Sequence, residues 1–339
     1  MSENAQRIGT LTNARSACHS LDIVIPVYNE EPALGLLFDR LERTFSTDRL
    51  ALHRIKSARY LFIDDGSTDG TAKIISDRIE LGLPAVGIRL TRNFGHQNAL
   101  SAGLDHAVAD LVVVMDADLQ DPPEVVFEMV GKWRQGFDVV FGRRRNRKEM
   151  PLKRLGYWGF YRLASFLADV KIPLDSGDFC LMDRDVVNAI NRLPEKLRFP
   201  RGLRAWVGYR QEGVEYDRPV RSAGRSKHSL AKLYRQATDG IASMSIRPLK
   251  AAQFISFLFG IQAVVLFGAI LAALAGRLRL GVETPVLWIC LLVSVGNALI
   301  SFNIYILGAY VGRTYLEVKN RPSYMIMEIL GKINDNGKT

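Results

Sequence analysis

Two stretches of this chain carry no charge. Residues 254–275 read FISFLFGIQAVVLFGAILAALA, and residues 286–311 read VLWICLLVSVGNALISFNIYILGAYV. A helix needs about 20 apolar residues to cross the hydrocarbon core of a bilayer. Soluble helices rarely run so far without a polar face. Each stretch therefore reads as a membrane span, and the alternative is a pair of buried core helices. The link between them holds Gly281 and Pro285, as a tight helical hairpin requires. Arg247 and Lys250 precede the first run, and Arg313, Lys319 and Arg321 follow the second. Such flanking bases place both ends on the cytosolic side, with Arg277 and Arg279 in the link acting against that orientation. Residues 1–20 hold no apolar signal core, so the large N-terminal part is expected to stay in the cytosol.

The remaining residues bear most of the charge. Lys and Arg number 45 against 35 Asp and Glu, a net +10 over 339 residues, while mean hydropathy is only +0.03. A disordered chain would lack the apolar residues. A disulfide scaffold is excluded by three dispersed cysteines, Cys18, Cys180 and Cys290. The positive charge gathers in two places. Arg143, Arg144, Arg145, Arg147, Lys148, Lys153 and Arg154 stand against Glu149. Arg221, Arg225, Lys227, Lys232, Arg235, Arg247 and Lys250 stand against Asp239. Bases beside aromatics (Tyr157, Trp158, Phe160 and Tyr161) and beside an apolar run suit phosphate headgroups at a membrane. No nucleic-acid recognition motif accompanies them, so no nucleic-acid partner is expected.

From residue 21 to about 142 the chain alternates strand and helix signals. Strands are predicted at 22–27, 59–64, 86–90, 111–115 and 138–141, and helices at 31–44, 70–81, 96–108 and 123–135. The strands are β-branched and almost continuously apolar, as parallel strands buried on both faces are. The alternation predicts an α/β fold with a mainly parallel sheet, whose loops collect at one edge. Further on, 152–168 reads as a helix, 178–182 and 214–220 as strands, and 229–246 as an amphipathic helix. That helix either lies on a membrane surface or packs on the soluble domain.

Three motifs fall at strand ends. In DADLQDPPE, Asp116, Asp118 and Gln120 leave an apolar strand. Two carboxylates one residue apart can face one ligand, and such hard oxygens suit Mg²⁺ or Mn²⁺ bridging a diphosphate. In IDDGSTDGT, Asp64 and Asp65 end a strand before Gly66, where a carboxylate can accept from a base N–H or a ribose hydroxyl. In IPVYNEE, Pro26 closes a strand, Glu30 is a ribose ligand candidate and Glu31 suits a helix N-terminus. Each alone is ordinary turn chemistry; all three at one sheet edge favour a nucleotide site. His96 reads as polar packing or a donor contact, and Cys180 as a small core residue.

Together with RNFGHQNALSAGLDHA (92–107), DSGDFCLMDRDVV (175–187), RGLRAWVGYRQEGVEY (201–216) and RSAGRSKHSL (221–230), these motifs resemble a family 2 glycosyltransferase of the GT-A fold. Within that family they are most similar to the polyprenyl-phosphate sugar transferases, such as dolichol-phosphate mannose synthases and bactoprenol glucosyltransferases. The resemblance covers roughly residues 21–325. It implies a Rossmann-like α/β domain over 21–228, after a flexible tail of 1–20. An amphipathic juxtamembrane helix follows at 229–252, two transmembrane helices at 253–312 and a cytosolic C-terminal tail at 313–339.

The resemblance assigns the metal and diphosphate to Asp116, Asp118 and Gln120. It assigns the nucleotide-sugar pocket to Pro26, Tyr28, Glu30, Asp64, Asp65, Arg92, Asn93 and Asp116. Asp178 becomes the catalytic carboxylate, with Asp118 beside it. Arg143, Arg144, Arg201, Arg221, Arg225 and Lys227 are the acceptor-phosphate candidates. The implied reaction is inverting transfer of a single sugar, glucose from UDP-glucose, to undecaprenyl phosphate at the inner membrane, using Mg²⁺ or Mn²⁺. The expected partners are the nucleotide sugar, the lipid acceptor, the membrane and further copies of the chain. Many processive members carry Gln-x-x-Arg-Trp, but here Ala205 separates Arg204 from Trp206, which favours single transfer over polymerisation. GDP-mannose and UDP-N-acetylhexosamine remain alternative donors. A nucleotide-binding channel or flippase subunit is an alternative of another class.

Overall fold

The computed structural model describes residue 15 and residues 17–145, 176–196, 198–217, 257–258, 261, 264 and 284–331. The chain divides into two units. One comprises Met1–Gly159, Val170–Leu233 and Arg321–Thr339, the other Phe160–Asp169 and Tyr234–Asn320.

The first unit is built on an eight-stranded sheet. Its strands are β1 (His19–Val27), β2 (Ile55–Asp64), β3 (Ala85–Leu90), β4 (Leu111–Val114), β5 (Val139–Arg144), β6 (Ser176–Asp183), β7 (Gln211–Tyr216) and β8 (Ile326–Leu330), in the order β7-β5-β6-β4-β1-β2-β3-β8. The centre is parallel: β1 pairs with β2 and β4, and β2 with β3. Antiparallel pairing enters where β6 inserts between β4 and β5, and where β8 joins β3. The pairing of β5 with β7 is parallel too, so the sheet is mainly parallel, as the sequence pattern predicts, with antiparallel pairs at β6 and β8. Apolar continuity marks a strand as buried but does not fix its direction.

The helices predicted in the first half are present as α1 (Glu31–Thr44), α3 (Thr71–Glu80), α4 (His96–His106) and α5 (Val125–Arg134). In α1, buried Ala33, Leu34, Leu37, Phe38 and Leu41 fall at helical spacing and form one face. Phe38 meets Phe62 of β2 edge to face, with centroids 5.4 Å apart. Three short helices carry too few turns for a periodic signal: α2 (Thr47–Leu52), α6 (Arg184–Asn191) and α7 (Pro200–Trp206). Helix α4 approaches the sheet closely at Gly103, where a Cβ would lie 2.2 Å from Val24 Cγ1.

Across β1 and β2, Asp22 faces Arg59. The guanidinium donates two hydrogen bonds to the carboxylate, at 2.9 and 2.8 Å, and Asp22 Oδ2 also accepts from Val108 and Ala109 N–H. Asp22 is 1% exposed. A buried carboxylate persists only with such full pairing.

Residues 326–330, expected as part of a tail, form β8 instead. Glu328 stands opposite Arg89 in register and pairs with it at 3.0 Å. Just before the strand, Tyr324 donates its hydroxyl to Asp105 Oδ2 at 2.9 Å, and Met325 O accepts from Thr91 N–H. Five residues are too few for a pattern search, and pairing with the edge of β3 makes them a strand.

In the second unit, α8 (Thr284–Val318) contains the uncharged run 286–311 and extends beyond it. Its segment Val295–Val318 is long and apolar enough to cross a membrane, with none of its most apolar stretch buried. The first apolar run is described only at residues 257, 258, 261 and 264, so the first helix and the link of the expected hairpin lie largely outside the described residues. The predicted helices 152–168 and 229–246 lie outside them too.

Candidate active site

The ends of β1, β2 and β4 and the loop after β3 meet at one edge, and backbone chemistry shapes each turn. At the end of β1, Asn29 adopts a positive φ of 51°. Its N–H donates to Ser67 Oγ, and its side-chain carbonyl accepts from Thr68 N–H at 2.8 Å. Glu30 N–H donates to Thr71 Oγ1, and Glu31 Oε2 accepts from Gly70 N–H at 2.7 Å. The β1 and β2 loops are thus laced together, with Glu30 half-buried and Tyr28 exposed. Pro26 sits inside β1, opposite Ile63.

The two carboxylates after β2 turn inward. Asp64 accepts from Ser67 N–H at 2.8 Å and faces Arg89 at 3.4 Å. Asp65 accepts from Phe94 and Gly95 N–H at 2.7 and 2.9 Å. Burial raises the Asp65 pKa, and the two backbone donors oppose the rise. Both carboxylates therefore shape the floor of the edge, while Arg92 and Asn93 stay exposed above it. Gly66 makes this close approach possible: its φ is +71°, and a Cβ there would lie 2.4 Å from the Arg92 carbonyl carbon.

Beyond β4, Asp116 and Asp118 are half-buried, and Asp118 Oδ1 accepts from Gln120 N–H at 3.1 Å. Asp121 is buried and accepts from the Tyr216 hydroxyl at 2.6 Å. Burial pushes the Asp116 pKa up to about 6, and repulsion from Asp121, Asp178 and Asp118 adds to the rise while His96 opposes it.

Asp178, on β6, joins this acidic group through His96 at the start of α4. His96 Nε2 lies 3.4 Å from Asp178 Oδ2 and 3.8 Å from Asp116 Oδ1. Gln97 Nε2 donates to Asp178 Oδ2 at 3.4 Å. His96 keeps 41% of its side chain exposed. Partial desolvation works against its charge, but the bond to Asp178 and the field of Asp116, Asp178 and Asp65 win and raise its pKa to about 9. Burial likewise works against charge on Asp178. His96, with Arg201 and Arg204, outweighs burial and holds the carboxyl well below its ordinary range. His96 and Gln97 were not among the assigned site residues. Their signal was position: both open a helix directly after a strand that ends at the same edge.

Among the described residues, no three His, Cys, Asp or Glu side chains form a self-sufficient cation site. Mg²⁺, however, is usually held through one or two carboxylates together with substrate phosphates. Asp116 and Asp118 supply hard oxygens in a cluster whose mutual repulsion calls for a counter-charge. The donor set thus fits a divalent cation that arrives with a nucleotide diphosphate.

The basic candidates divide. Arg143, next to last in β5, is half exposed and 3.9 Å from Glu215. Arg201, on α7, lines a small cavity with Asp178. The Arg144 side chain and the whole of Arg221, Arg225 and Lys227 lie outside the described residues.

Residues 22–190 match the model of glycosyl transferase family 2. A glycosyltransferase of Synechocystis sp. with no assigned role is 40% identical over 315 residues, spanning 92% of this chain and 96% of its own. The prophage-derived bactoprenol glucosyl transferase of Shigella flexneri is 40% identical over 310 residues, covering 90% of this chain and 97% of its own. The prophage bactoprenol glucosyl transferase homolog of Escherichia coli K12 is 37% identical over 320 residues, covering 91% and 99%. The solved glucosyl-3-phosphoglycerate synthase of Mycobacterium tuberculosis aligns at a TM-score of 0.46 and 19% identity, over 69% of this chain and 80% of that one, too distant to inform the assignment. Strand-end carboxylates on an α/β sheet, in a chain matched almost end to end by glycosyltransferases, lead to one conclusion: the protein belongs to glycosyl transferase family 2 and is a glycosyltransferase of the bactoprenol glucosyl transferase type.

Proposed function

We propose that the protein transfers a single glucose from UDP-glucose to undecaprenyl phosphate, with inversion, at the cytosolic face of the inner membrane. The product is a polyprenyl-phosphate-linked sugar for modifying cell-envelope glycans. The observation that carries this reading is the meeting of Asp116, His96 and Asp178 at one sheet edge. The relatives named as bactoprenol glucosyl transferases support the lipid acceptor and the sugar. The apolar runs 254–275 and 286–311 serve as a two-helix hairpin within 253–312. Residues 229–252 lie along the membrane surface, and copies of the chain associate there.

In this reading the nucleotide rests on the edge made by Pro26, Tyr28, Glu30, Asp64, Asp65, Arg92 and Asn93. Asp116, Asp118 and Gln120 hold Mg²⁺ or Mn²⁺, which supplies neutralising charge to the departing diphosphate. Arg143, Arg144, Arg201, Arg221, Arg225 and Lys227 hold the acceptor phosphate, because Arg forks match phosphate oxygens. One displacement at the anomeric carbon inverts its configuration and needs no enzyme nucleophile.

Asp178 has a limited task as a base. A phosphate monoester has a second pKa of about 6 and is largely a dianion at pH 7. A carboxylate held below its ordinary range is also a weak proton acceptor. Asp178 therefore orients a hydroxyl of the sugar, held in turn by His96 and Gln97.

The test offers purified protein a panel of nucleotide sugars with undecaprenyl phosphate and Mg²⁺ or Mn²⁺. Glucosyl-lipid from UDP-glucose alone, lost with chelator, is the expected result. Product from GDP-mannose or a UDP-N-acetylhexosamine instead would replace the donor. No lipid product from any donor would overturn the proposal.

A further inference from the structure

Arg204 is among the most deeply buried side chains of the first unit, at 2% exposure. Its Nε and Nη2 have no hydrogen-bond partner among the described residues. Helix α7 carries it over the ring of Phe141 at 5.6 Å, and its own carbonyl accepts from Gln211 Nε2 at 2.9 Å. The cavity it faces is about 10 Å³, room for no more than one water. Arg204, Arg201, Cys180 and Asp178 line that cavity together, with an otherwise apolar wall.

A buried guanidinium with unpaired N–H groups is costly, since charge and donors have both left water without full compensation. An apolar side chain of similar volume would suit the same place better on stability grounds alone. Unsatisfied buried polar groups of this kind call for a functional account. Asp178 shares the cavity, and the field of Arg204 favours its ionised form; the guanidinium also bonds the Cys180 thiol beside it.

We propose that Arg204 is a positioning residue, whose guanidinium holds the Asp178 carboxylate in place across a cavity that admits a single water. The inference rests on the reading of Asp178 given above. It differs from the phosphate role proposed for Arg201, because Arg204 is buried where Arg201 is partly exposed. Arg204 touches neither substrate; it fixes the rotamer of the group that does.

The experiment compares Arg204→Met, Arg204→Lys and Asp178→Asn in the full-length protein. Each is assayed for transfer from UDP-glucose to undecaprenyl phosphate, for UDP binding and for thermal unfolding. Arg204→Met should melt no lower than the parent and bind UDP equally well. Its kcat should fall about ten- to a hundredfold, the range expected when a reacting group is misplaced. Arg204→Lys should recover part of that loss. An Arg204→Met variant with kcat within twofold of the parent would overturn the inference, and so would a loss of kcat matched by lost UDP binding or a lowered melting temperature. A fully active Asp178→Asn brings down the reading of Asp178 and the inference with it. An inactive Asp178→Asn beside an active Arg204→Met brings down the inference alone.

Discussion

His96 Nε2 stands 3.4 Å from Asp178 Oδ2, joining the first turn of α4 to β6 across the site. The pair ties the helix to the sheet beside Asp116. Replacing His96 with Ala should lower kcat more than tenfold, on the order expected for a lost orienting contact, with UDP binding preserved. Steady-state kinetics beside calorimetric UDP binding separates the two effects.

The same pair sets a pH dependence in metal-free protein. The His96 pKa is raised to about 9, above its ordinary value near 6.5. Its charged form is favoured by folding, so the contribution to stability is complete below the ordinary value and is lost as pH rises through about 9. Ring resonances followed by NMR in chelator should titrate near 9 and shift down in Asp178→Asn. Unshifted titration in that variant would refute the pairing.

Asp118→Ala should abolish transfer while leaving the fold intact. The side chain is half-buried at a loop, so its loss opens no core cavity. Circular dichroism should match the parent, and chelator should have no further effect on the variant. Full activity would remove the metal assignment.

Gly66→Ala should destabilise the first unit by about 1–3 kcal/mol, because a non-glycine residue is strained at positive φ. The new methyl also meets the Arg92 backbone. Nucleotide binding should weaken in parallel, since Arg92 and Asn93 must retreat. Urea unfolding and UDP titration on one preparation check both.

Asp22→Ala should cost about 3–5 kcal/mol, as removal of one partner from a buried ion pair does. It strands Arg59 together with the N–H groups of Val108 and Ala109. The pair belongs to the body of the sheet, so whatever fraction remains folded should keep its kcat. A melting curve with active-site titration tests this.

The central strands and the helices that follow them were legible because each obeys one period over enough residues to be read. The antiparallel course of β6 was not, because apolar content marks a strand without fixing its direction, and β6 itself carries Ser176, Asp178 and Asp183. Asp116 and Asp178 could be picked out as motif carboxylates. His96 could not be ranked above packing, since nothing local says that its ring faces two carboxylates brought in by β4 and β6. Arg204 stood out in sequence only as part of a motif; its burial is a property of the finished fold. The Arg89–Glu328 pair joins residues too distant along the chain for any spacing to reveal.

The position of β8 carries a consequence for how the protein is made. Residues 326–330 follow α8 in the chain, yet they close the edge of the sheet beside β3. A ribosome therefore delivers the long apolar helix before it delivers the strand that caps the sheet. Until then β3 is an unprotected edge, open to pairing with other nascent chains. Completion of the sheet thus waits on synthesis of α8, and a chain arrested before residue 326 would be a target for chaperones and for aggregation rather than a functional fragment.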